Sequence, residues 1–350
     1  TDKVDALTLA QLLAADFVPE VWVPDEETRR LRREVAGRAA LVRQRTQARN
    51  RIHAVLHRCL ADAPVSDLFG KTGQEWLRSL ALPEDERAQV EATLRVHEAI
   101  EDEVALLDRR LAQVALADER VERLMTLPGV GAVNALALVA VTGDVRRFRE
   151  PGKLVSYLGL DPRVRQSGER EAFTGHISRA GQAHARGLLI EAAHAAVAGP
   201  GPLRAFFQRI ERRRGTQVAL VAVARKLAVL SWYLLTTGER YRYERTTLVR
   251  EKRRFLARTL GQKTERRRRA AGEPSLAALR AQELAMLAEA EAGYRGEAAA
   301  RAAADAAAAK GDTTDQRSKT QGARRSSHPQ RSALPTGSTA SEEGGYAVGA

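Results

Sequence analysis

Apolar residues recur every three to four positions through most of this chain, and that spacing predicts a mostly α-helical protein. Two long helices are expected first, over residues 25–60 and 84–123, with a break containing Pro and Gly between them. In the second helix the apolar positions step by four and three, as in a coiled coil; they are Ile100, Val104, Leu107, Leu111 and Val114. We expect an antiparallel helix pair, closed within one chain or serving as the contact of a homodimer.

A turn rich in glycine opens the second half of the chain. Pro128, Gly129 and Gly131 predict a tight turn that leads into an Ala-rich helix from Ala132. Such a hairpin can point backbone N–H groups and a helix N-terminus outward at a phosphate oxygen. A plain turn between two packed helices explains the same residues. The helices that follow are expected over residues 182–197, 203–214 and 216–236.

The two ends of the chain differ in pattern. Leu7 and Leu13 belong to a largely apolar first helix, so we expect that helix to lie against a core and the natural start codon to lie upstream of Thr1. Residues 242–296 predict a basic helical extension. Residues 297–350 become polar and poor in large apolar side chains, which predicts a disordered tail.

Composition narrows the class of partner. The chain has 57 Lys and Arg against 44 Asp and Glu, a net charge of +13. A basic balance of this size favours nucleic acid over a membrane, since charges interrupt the longest apolar runs and no signal peptide is recognisable. The single cysteine, Cys59, excludes an internal disulfide and a multi-cysteine zinc site, so we expect a reducing, cytoplasmic setting.

Two sets of polar residues stand out as candidate chemistry. Ser167 lies in a stretch too polar to be core, and basic residues surround it: Arg146, Arg147, Arg149, Lys153, Arg163, Arg165, Arg170 and Arg179. Asp2 and Asp5 stand three positions apart, so a helix places them on one face. Paired carboxylates can hold Mg²⁺, whereas aspartates at a helix start often only favour the helix dipole.

Several short motifs carry a resemblance to a known family. They are T-D-x-x-D-A at residues 1–6, P-G-x-G at 128–131, G-D-x-x-R-F at 143–148, G-L-x-P at 159–162, R-x-S-G at 165–168 and I-S-R-A-G at 177–181. From Thr1 to about Tyr241 the chain resembles the transposases of the insertion-sequence 110 family, which are DEDD-type recombinases guided by a bridge RNA. In the last motif Arg179 replaces the family's Lys, and Ala185 replaces a Leu further on.

The resemblance implies a domain order for the mostly α fold. Residues 1–24 correspond to the C-terminal end of a RuvC-like, RNase H-fold domain, and residues 25–123 to the coiled coil. Residues 124–241 correspond to a helical transposase domain that contains a helix-hairpin-helix-like motif and a serine loop.

The resemblance also implies a chemistry. In this family a serine hydroxyl attacks a DNA phosphate and leaves a phosphoserine link, with Mg²⁺ held by four carboxylates. By position, Ser167 corresponds to the nucleophile, and Asp2 and Asp5 to the last two carboxylates. The implied partners are DNA, a guide RNA and further copies of the chain. The residues expected to contact DNA are Gly129, Gly131, Arg163, Arg165, Arg170, Arg179 and Arg186.

Two other serines are rival nucleophiles. Ser178 precedes a predicted helix and is expected to be its N-cap, and Ser156 is expected in a helix interior. Ser167 is therefore preferred.

The first two acids of the family's set cannot be assigned to a residue of this sequence. We therefore interpret the chain as N-terminally truncated, and expect it to bind DNA or RNA without cleaving or joining it. The alternative is a non-catalytic nucleic-acid-binding remnant; a structure-specific junction binder would share the hairpin but not need the serine loop. An in-frame strand with an Asp, followed by a Glu, upstream of Thr1 would favour the enzyme.

Overall fold

The computed structural model describes residues 2–18, 21–168, 173–262 and 274–324, with side chains described up to residue 300 except that of Thr174. The described part is mostly helical, which confirms the predicted class in its coarse form. Its helices are α1 Asp2–Ala14, α2 Glu26–Arg58, α3 Lys71–Ser79, α4 Glu84–Ala117, α5 Glu119–Met125, α6 Ala132–Thr142, α7 Pro151–Tyr157, α8 Ala183–Ala198, α9 Pro202–Arg214, α10 Thr216–Thr237, α11 Thr246–Thr259 and α12 Leu276–Arg324. Strands β1 Pro162–Arg165 and β2 Phe173–Ile177 pair as one antiparallel hairpin.

The chain divides into two compact units, Thr1–Tyr294 and Arg295–Ala350. All of the packing described below lies within the first. In the second, α12 continues as a helix to Arg324, across residues where the sequence predicts a disordered tail. Its alanine-rich stretch over 298–309 explains the helix, because alanine has the highest intrinsic helix propensity. Residues 325–350 of the predicted tail lie outside the described residues.

Helices α2 and α4 form an antiparallel pair within the chain, as one of the two expectations has it. The Asp25 carboxylate begins α2 by accepting a hydrogen bond from the Thr28 N–H at 2.7 Å. Helix α4 ends at Ala117 rather than at residue 123, because the Asp118 side chain accepts from the Arg120 N–H at 2.8 Å and starts α5. Near the free end of the pair, α3 closes a second hydrophobic cluster around Ile52.

The main core lies where α5, α6, α7, α8 and α10 meet. Every residue of α6 from Ala135 to Ala140 is buried, and Val223 and Leu227 of α10 are fully enclosed. Helix α10 is long and apolar enough to cross a membrane by length and composition, although the charges of Arg225 and Lys226 within it led us to expect no membrane-spanning segment. It packs against α7, α8 and α9 here, as a core helix does.

The G-D-x-x-R-F motif closes the C-terminal end of α6. Gly143 has a φ of +58°, and a Cβ there would lie 2.3 Å from the Trp22 ring. Arg147 stacks over that ring at 4.4 Å and donates to the carbonyls of Thr142 and Val141. The motif thus docks the extended segment before α2 onto the core.

Helix α1 contradicts the expectation that it lies against a core. None of its residues is buried; Leu7 is 60% and Leu13 71% exposed. Among the described residues no other helix or strand packs extensively on α1, so its apolar side chains have no surface to cover them. The RuvC-like assignment of residues 1–24 stays a prediction.

Candidate nucleic-acid interface and serine loop

Two glycines that flank the β1–β2 hairpin fix it to the helical core, because each packs closely against the backbone of a distant residue. Gly159 has a φ of +72°, and a Cβ there would lie 1.9 Å from the Ala180 carbonyl oxygen. Gly181 has a φ of +87°, and its Cβ would lie 2.2 Å from the carbonyl oxygen of Tyr157. Glycine alone suits these positions, because it adopts a positive φ readily and has no Cβ to clash with the carbonyl oxygen. The chain segments that enter and leave the hairpin are therefore held side by side.

Hydrogen bonds complete this anchorage. The Ser178 N–H donates to the Asp161 carbonyl at 2.7 Å, and the Arg163 guanidinium donates to the Ser178 carbonyl at 3.0 Å. Ser178 is not the N-cap of α8, contrary to the sequence prediction: Gln182 occupies that position without a side-chain cap bond. The strand β2 and the hydrogen bonds at its end keep Ser178 four positions before that N-cap.

Ser167 lies two residues beyond β1 on the exposed side of this hairpin. Gly168, next to it, has a φ of +61°, so the chain turns sharply there. Within the described ranges the Ser167 hydroxyl has no hydrogen-bond partner. Ser156, a rival, is different: it lies in α7 as predicted, and its hydroxyl donates to the Asp161 carboxylate.

Basic side chains line a groove of about 400 Å³ beside the hairpin. Arg163, Arg165 and Arg179 border it together with His176. Arg165 and Arg179 are exposed and have no carboxylate partner among the described residues. Arg179 has a φ of +56°, which is rare outside glycine and marks local backbone strain. Arg170 lies outside the described residues.

Arg186 has a different place from the other predicted contact residues. It lies on α8, half-buried, and donates to the Leu158 carbonyl at 3.2 Å. Its guanidinium therefore fastens α8 to the end of α7, behind the hairpin.

The Pro128–Gly131 turn joins α5 to α6, as the sequence predicts, but it is packed on two sides. A Cβ on Gly129, whose φ is +76°, would lie 2.0 Å from the Ala192 carbonyl oxygen, so the turn touches the backbone of α8. On the other side Lys252 donates to the carbonyls of Met125, Leu127 and Val130 at 2.7, 3.2 and 2.8 Å. Burial lowers the pKa of Lys252 to about 8, with the nearby Arg245 charge adding to the shift.

Gly131 keeps an open side. It is the N-cap of α6 with extended backbone, and a Cβ there would meet nothing within 4 Å. It borders a cleft of about 780 Å³ between α4, α6 and α11, where Arg254 and Arg258 are exposed. Other basic residues of α11 are already paired, Arg253 with Glu122 at 2.9 Å for example. The basic extension thus offers fewer free charges than its sequence suggests.

Asp2 and Asp5 lie in the first turn of α1 and are both exposed. Over the described ranges no group of three or more His, Cys, Asp or Glu side chains is placed to hold a metal ion. In the described part of the chain helix α1 does not pack extensively on the β1–β2 hairpin either. The two carboxylates alone do not fit a metal centre, and the structure does not bring them together with Ser167.

Several residues near the hairpin escaped the sequence analysis. Asp161 accepts from Ser156 and lies 3.2 Å from the Arg225 guanidinium of α10. Phe173 and His176 border the groove of the hairpin. The alternation in residues 173–177 is the signal that could have revealed a strand. Nothing local could reveal the contacts of Arg225.

Comparison with known proteins defines the class. The family model described as "Transposase IS116/IS110/IS902 family" matches residues 121–208, and the model of the DEDD transposase of IS110 elements matches residues 1–60. The second match indicates use of a divalent metal ion. By these two matches the chain is similar to DEDD-type transposases. Residues 1–60 and 121–208 thus carry the likeness to the IS116/IS110/IS902 transposase family.

Individual relatives agree with this family. The chain is 34% identical over 149 residues to a probable family 20 transposase of Pseudomonas aeruginosa, which covers 41% of this chain and 44% of the relative. It is 36% identical over 139 residues to the transposase for insertion sequence element IS1111A of Coxiella burnetii, covering 39% and 38%. A pilin gene-inverting protein of Moraxella lacunata is 30% identical over 140 residues, covering 38% and 44%. The chain thus spans less than half the length of these three relatives.

Proposed function

We propose that this chain carries the serine-dependent part of a DNA transposase, which cuts and rejoins DNA through a phosphoserine intermediate. The observation that supports this most is the exposed hydroxyl of Ser167 on a hairpin anchored by Gly159 and Gly181, next to the exposed guanidinium groups of Arg165 and Arg179; none of the three has a hydrogen-bonding or carboxylate partner among the described side chains. A relative named for inverting a pilin gene supports a recombination reaction.

The proposed step is a transesterification. The Ser167 oxygen attacks the phosphorus of a DNA phosphodiester, one P–O bond forms, and the P–O bond to one deoxyribose breaks. The proton lost by the serine hydroxyl ends on the departing deoxyribose hydroxyl, so the reaction needs no other reactant. A free hydroxyl of another DNA strand then attacks the phosphorus of the phosphoserine link. This second transesterification releases the serine and joins the two DNA ends. Arg165 and Arg179 would bind the phosphate oxygens and favour the charge that develops on them.

The remaining parts of the proposal come from the family. Asp2 and Asp5 would be two ligands of a Mg²⁺ site that other carboxylates complete, a guide RNA would select the DNA, and copies of the chain would assemble in the cytoplasm. The exposed face of α1 is in keeping with a role that needs additional protein surface.

A second candidate function is nucleic-acid binding without chemistry. The exposure of Asp2 and Asp5, and the lack of any third ligand beside them in the described part of the chain, favour it for this chain as given. On either proposal the hairpin groove and the Gly131 cleft are the expected contact surfaces, and so are the exposed arginines of α11.

The test is a covalent protein–DNA adduct, detected by gel shift under denaturing conditions. The chain as given should bind DNA and form no adduct. With any upstream reading frame restored, and Mg²⁺ and the matching guide RNA present, an adduct should form. Ser167→Ala and Asp5→Asn should abolish it, and the matched control Ser178→Ala should retain it. An adduct that persists in Ser167→Ala would show the nucleophile assignment to be wrong.

A further inference from the structure

An aromatic side chain stands unpacked on the β1–β2 hairpin. Phe173 is 70% exposed at the first position of β2. Its cross-strand partner is Arg165, and residues opposite each other in an antiparallel pair share a face. The same face carries Gly175, because side chains alternate along a strand. A phenyl ring therefore lies in solvent beside a guanidinium group.

The surroundings of the ring are basic. The groove beside it is lined by Arg163, Arg165, Gly175, His176, Ile177 and Arg179, and no carboxylate belongs to the lining described. In the core, by contrast, aromatic rings are covered: Phe148 is only 6% exposed. Phe173 is thus available to a ligand that is both flat and negatively charged.

Gly175 keeps the ring accessible. A Cβ built at Gly175 would lie 3.9 Å from the Phe173 Cε1 atom, in van der Waals contact. Any longer side chain at this position would cover the edge of the ring and narrow the groove. The backbone of Gly175 does not have a positive φ, so it is not conformation that calls for glycine there.

We propose that this groove binds one unpaired DNA base next to the phosphate that Ser167 attacks, with Phe173 stacking on the base and the flanking arginines holding the phosphates. The inference rests on the proposed function and deepens it, because it assigns a binding role to a residue outside the motifs. Bases in a duplex are already stacked and show only their edges in the grooves. A protein ring therefore reaches a base face only in a single strand or a distorted junction. Arginine side chains beside an aromatic platform are the usual means of holding such a strand.

The experiment uses a short single-stranded DNA with one 2-aminopurine, whose fluorescence is quenched when it stacks. Binding of the full chain should quench the probe. Phe173→Ala should remove the quenching and weaken binding about tenfold, in line with the loss of one base–aromatic stack, while Phe173→Tyr should restore both. Gly175→Leu should behave like Phe173→Ala. The matched control is Val164→Ala, because Val164 is 60% exposed on the same hairpin but on its other face.

Three results would overturn the inference. One is Phe173→Ala that binds and quenches like the unchanged chain. Another is equal quenching when the probe base is paired in a duplex. The third is a larger effect of Phe173→Ala on an RNA strand of the same sequence, which would assign the groove to RNA. These outcomes leave DNA binding and the Ser167 adduct intact, whereas a chain that binds no nucleic acid at all contradicts the proposed function itself.

Discussion

Helix α2 and the β1–β2 hairpin are both rich in arginine, yet their guanidinium groups have different partners. In α2, Arg49 lies 2.8 Å from Glu101 and Arg58 lies 2.7 Å from Glu86, both carboxylates of α4. On the hairpin, Arg165 and Arg179 are exposed and have no carboxylate partner within the described ranges. The same residue type joins two helices in one region and remains available to a ligand in the other.

The cause of this difference is the neighbouring element. Helix α4 presents acids at Glu86, Glu101 and Asp108 along the face that meets α2, so an antiparallel register sets arginine against carboxylate. The hairpin has no acidic element beside it in the described structure. A high density of arginines along the sequence therefore does not identify a nucleic-acid interface. The arginines that lack a carboxylate partner in the fold are the better indicator.

The largest expected effect is the salt dependence of DNA binding. If about six phosphates meet the free basic residues, affinity should fall on the order of 10³-fold between 50 and 200 mM salt. Replacing both Arg165 and Arg179 by Ala should lower the slope of log affinity against log salt by about two. Fluorescence anisotropy titrations measure both. Arg45→Ala, in α2, should leave the slope unchanged, and an equal loss there would remove the distinction between the regions.

The anchorage of the hairpin can be broken at Gly159. Gly159→Ala places a Cβ 1.9 Å from the Ala180 oxygen at a positive φ, so we expect a loss of about 2–4 kcal/mol in the free energy of unfolding. DNA binding should weaken with it. The matched control is Gly187→Ala in α8, where no atom lies within 4 Å of the added Cβ. Gly187→Ala should raise the free energy of unfolding by about 0.5–1 kcal/mol, because alanine favours a helix more than glycine does. Chemical denaturation measures both variants, and a less stable Gly187→Ala than Gly159→Ala would contradict the close packing at Gly159.

Glu101→Gln tests the structural role of the α2 arginines. The substitution removes the negative charge of Glu101, whose carboxylate lies 3.2 Å from the Arg45 guanidinium and 2.8 Å from that of Arg49. These side chains are about one third exposed. Partial exposure screens the interaction, so the free energy of unfolding should fall by about 1–2 kcal/mol. DNA affinity should not change. Arg165→Ala should do the reverse, and denaturation and binding curves of both variants give the answer; a large loss of DNA affinity in Glu101→Gln would place α2 in the interface.

The smallest effect concerns acid. Burial lowers the pKa of His97, and the positive charge of Arg49 lowers that pKa further. The Arg49 Nε–H donates a hydrogen bond to the His97 Nε2 at 3.0 Å. Below about pH 6.5 the unfolded chain takes up a proton that the folded chain refuses, so stability falls as pH falls towards the folded pKa. The loss should be at most about 1 kcal/mol between pH 6.5 and 5.5. His97→Leu should flatten that part of a stability–pH curve, and an unaltered curve would mean that His97 is not the group responsible.

Much of the helical layout was predictable because helix signals are local. The expected helix over 25–60 is observed as Glu26–Arg58, and the expected start at Ala132 is where α6 begins. The hairpin escaped prediction because its strands are only four and five residues long, so the alternation over residues 173–177 is a short signal that is easily overlooked. The break at Asp118 also escaped, since a single capping side chain interrupts an otherwise continuous apolar pattern.

The candidate site divides in the same way. The R-x-S-G motif drew attention to Ser167, and the structure places it on an exposed turn. The long-range contacts that hold the surrounding segments in place could not be predicted from the sequence. Arg225 reaches Asp161 from α10, and Lys252 reaches the Pro128 turn from α11. Each of these contacts joins residues more than 60 positions apart.

The sequence by itself determined that the chain is helical and basic, where its long helices lie, and where glycine-rich turns and a polar serine segment interrupt them. Those features follow from periodicity and propensity, which act over a few neighbouring residues. Tertiary structure alone decided which arginines are paired, that Gly129 touches the backbone at Ala192, and that no described element buries α1. Charge pairing and close backbone approach depend on which distant elements the fold brings together, and no local pattern records that choice.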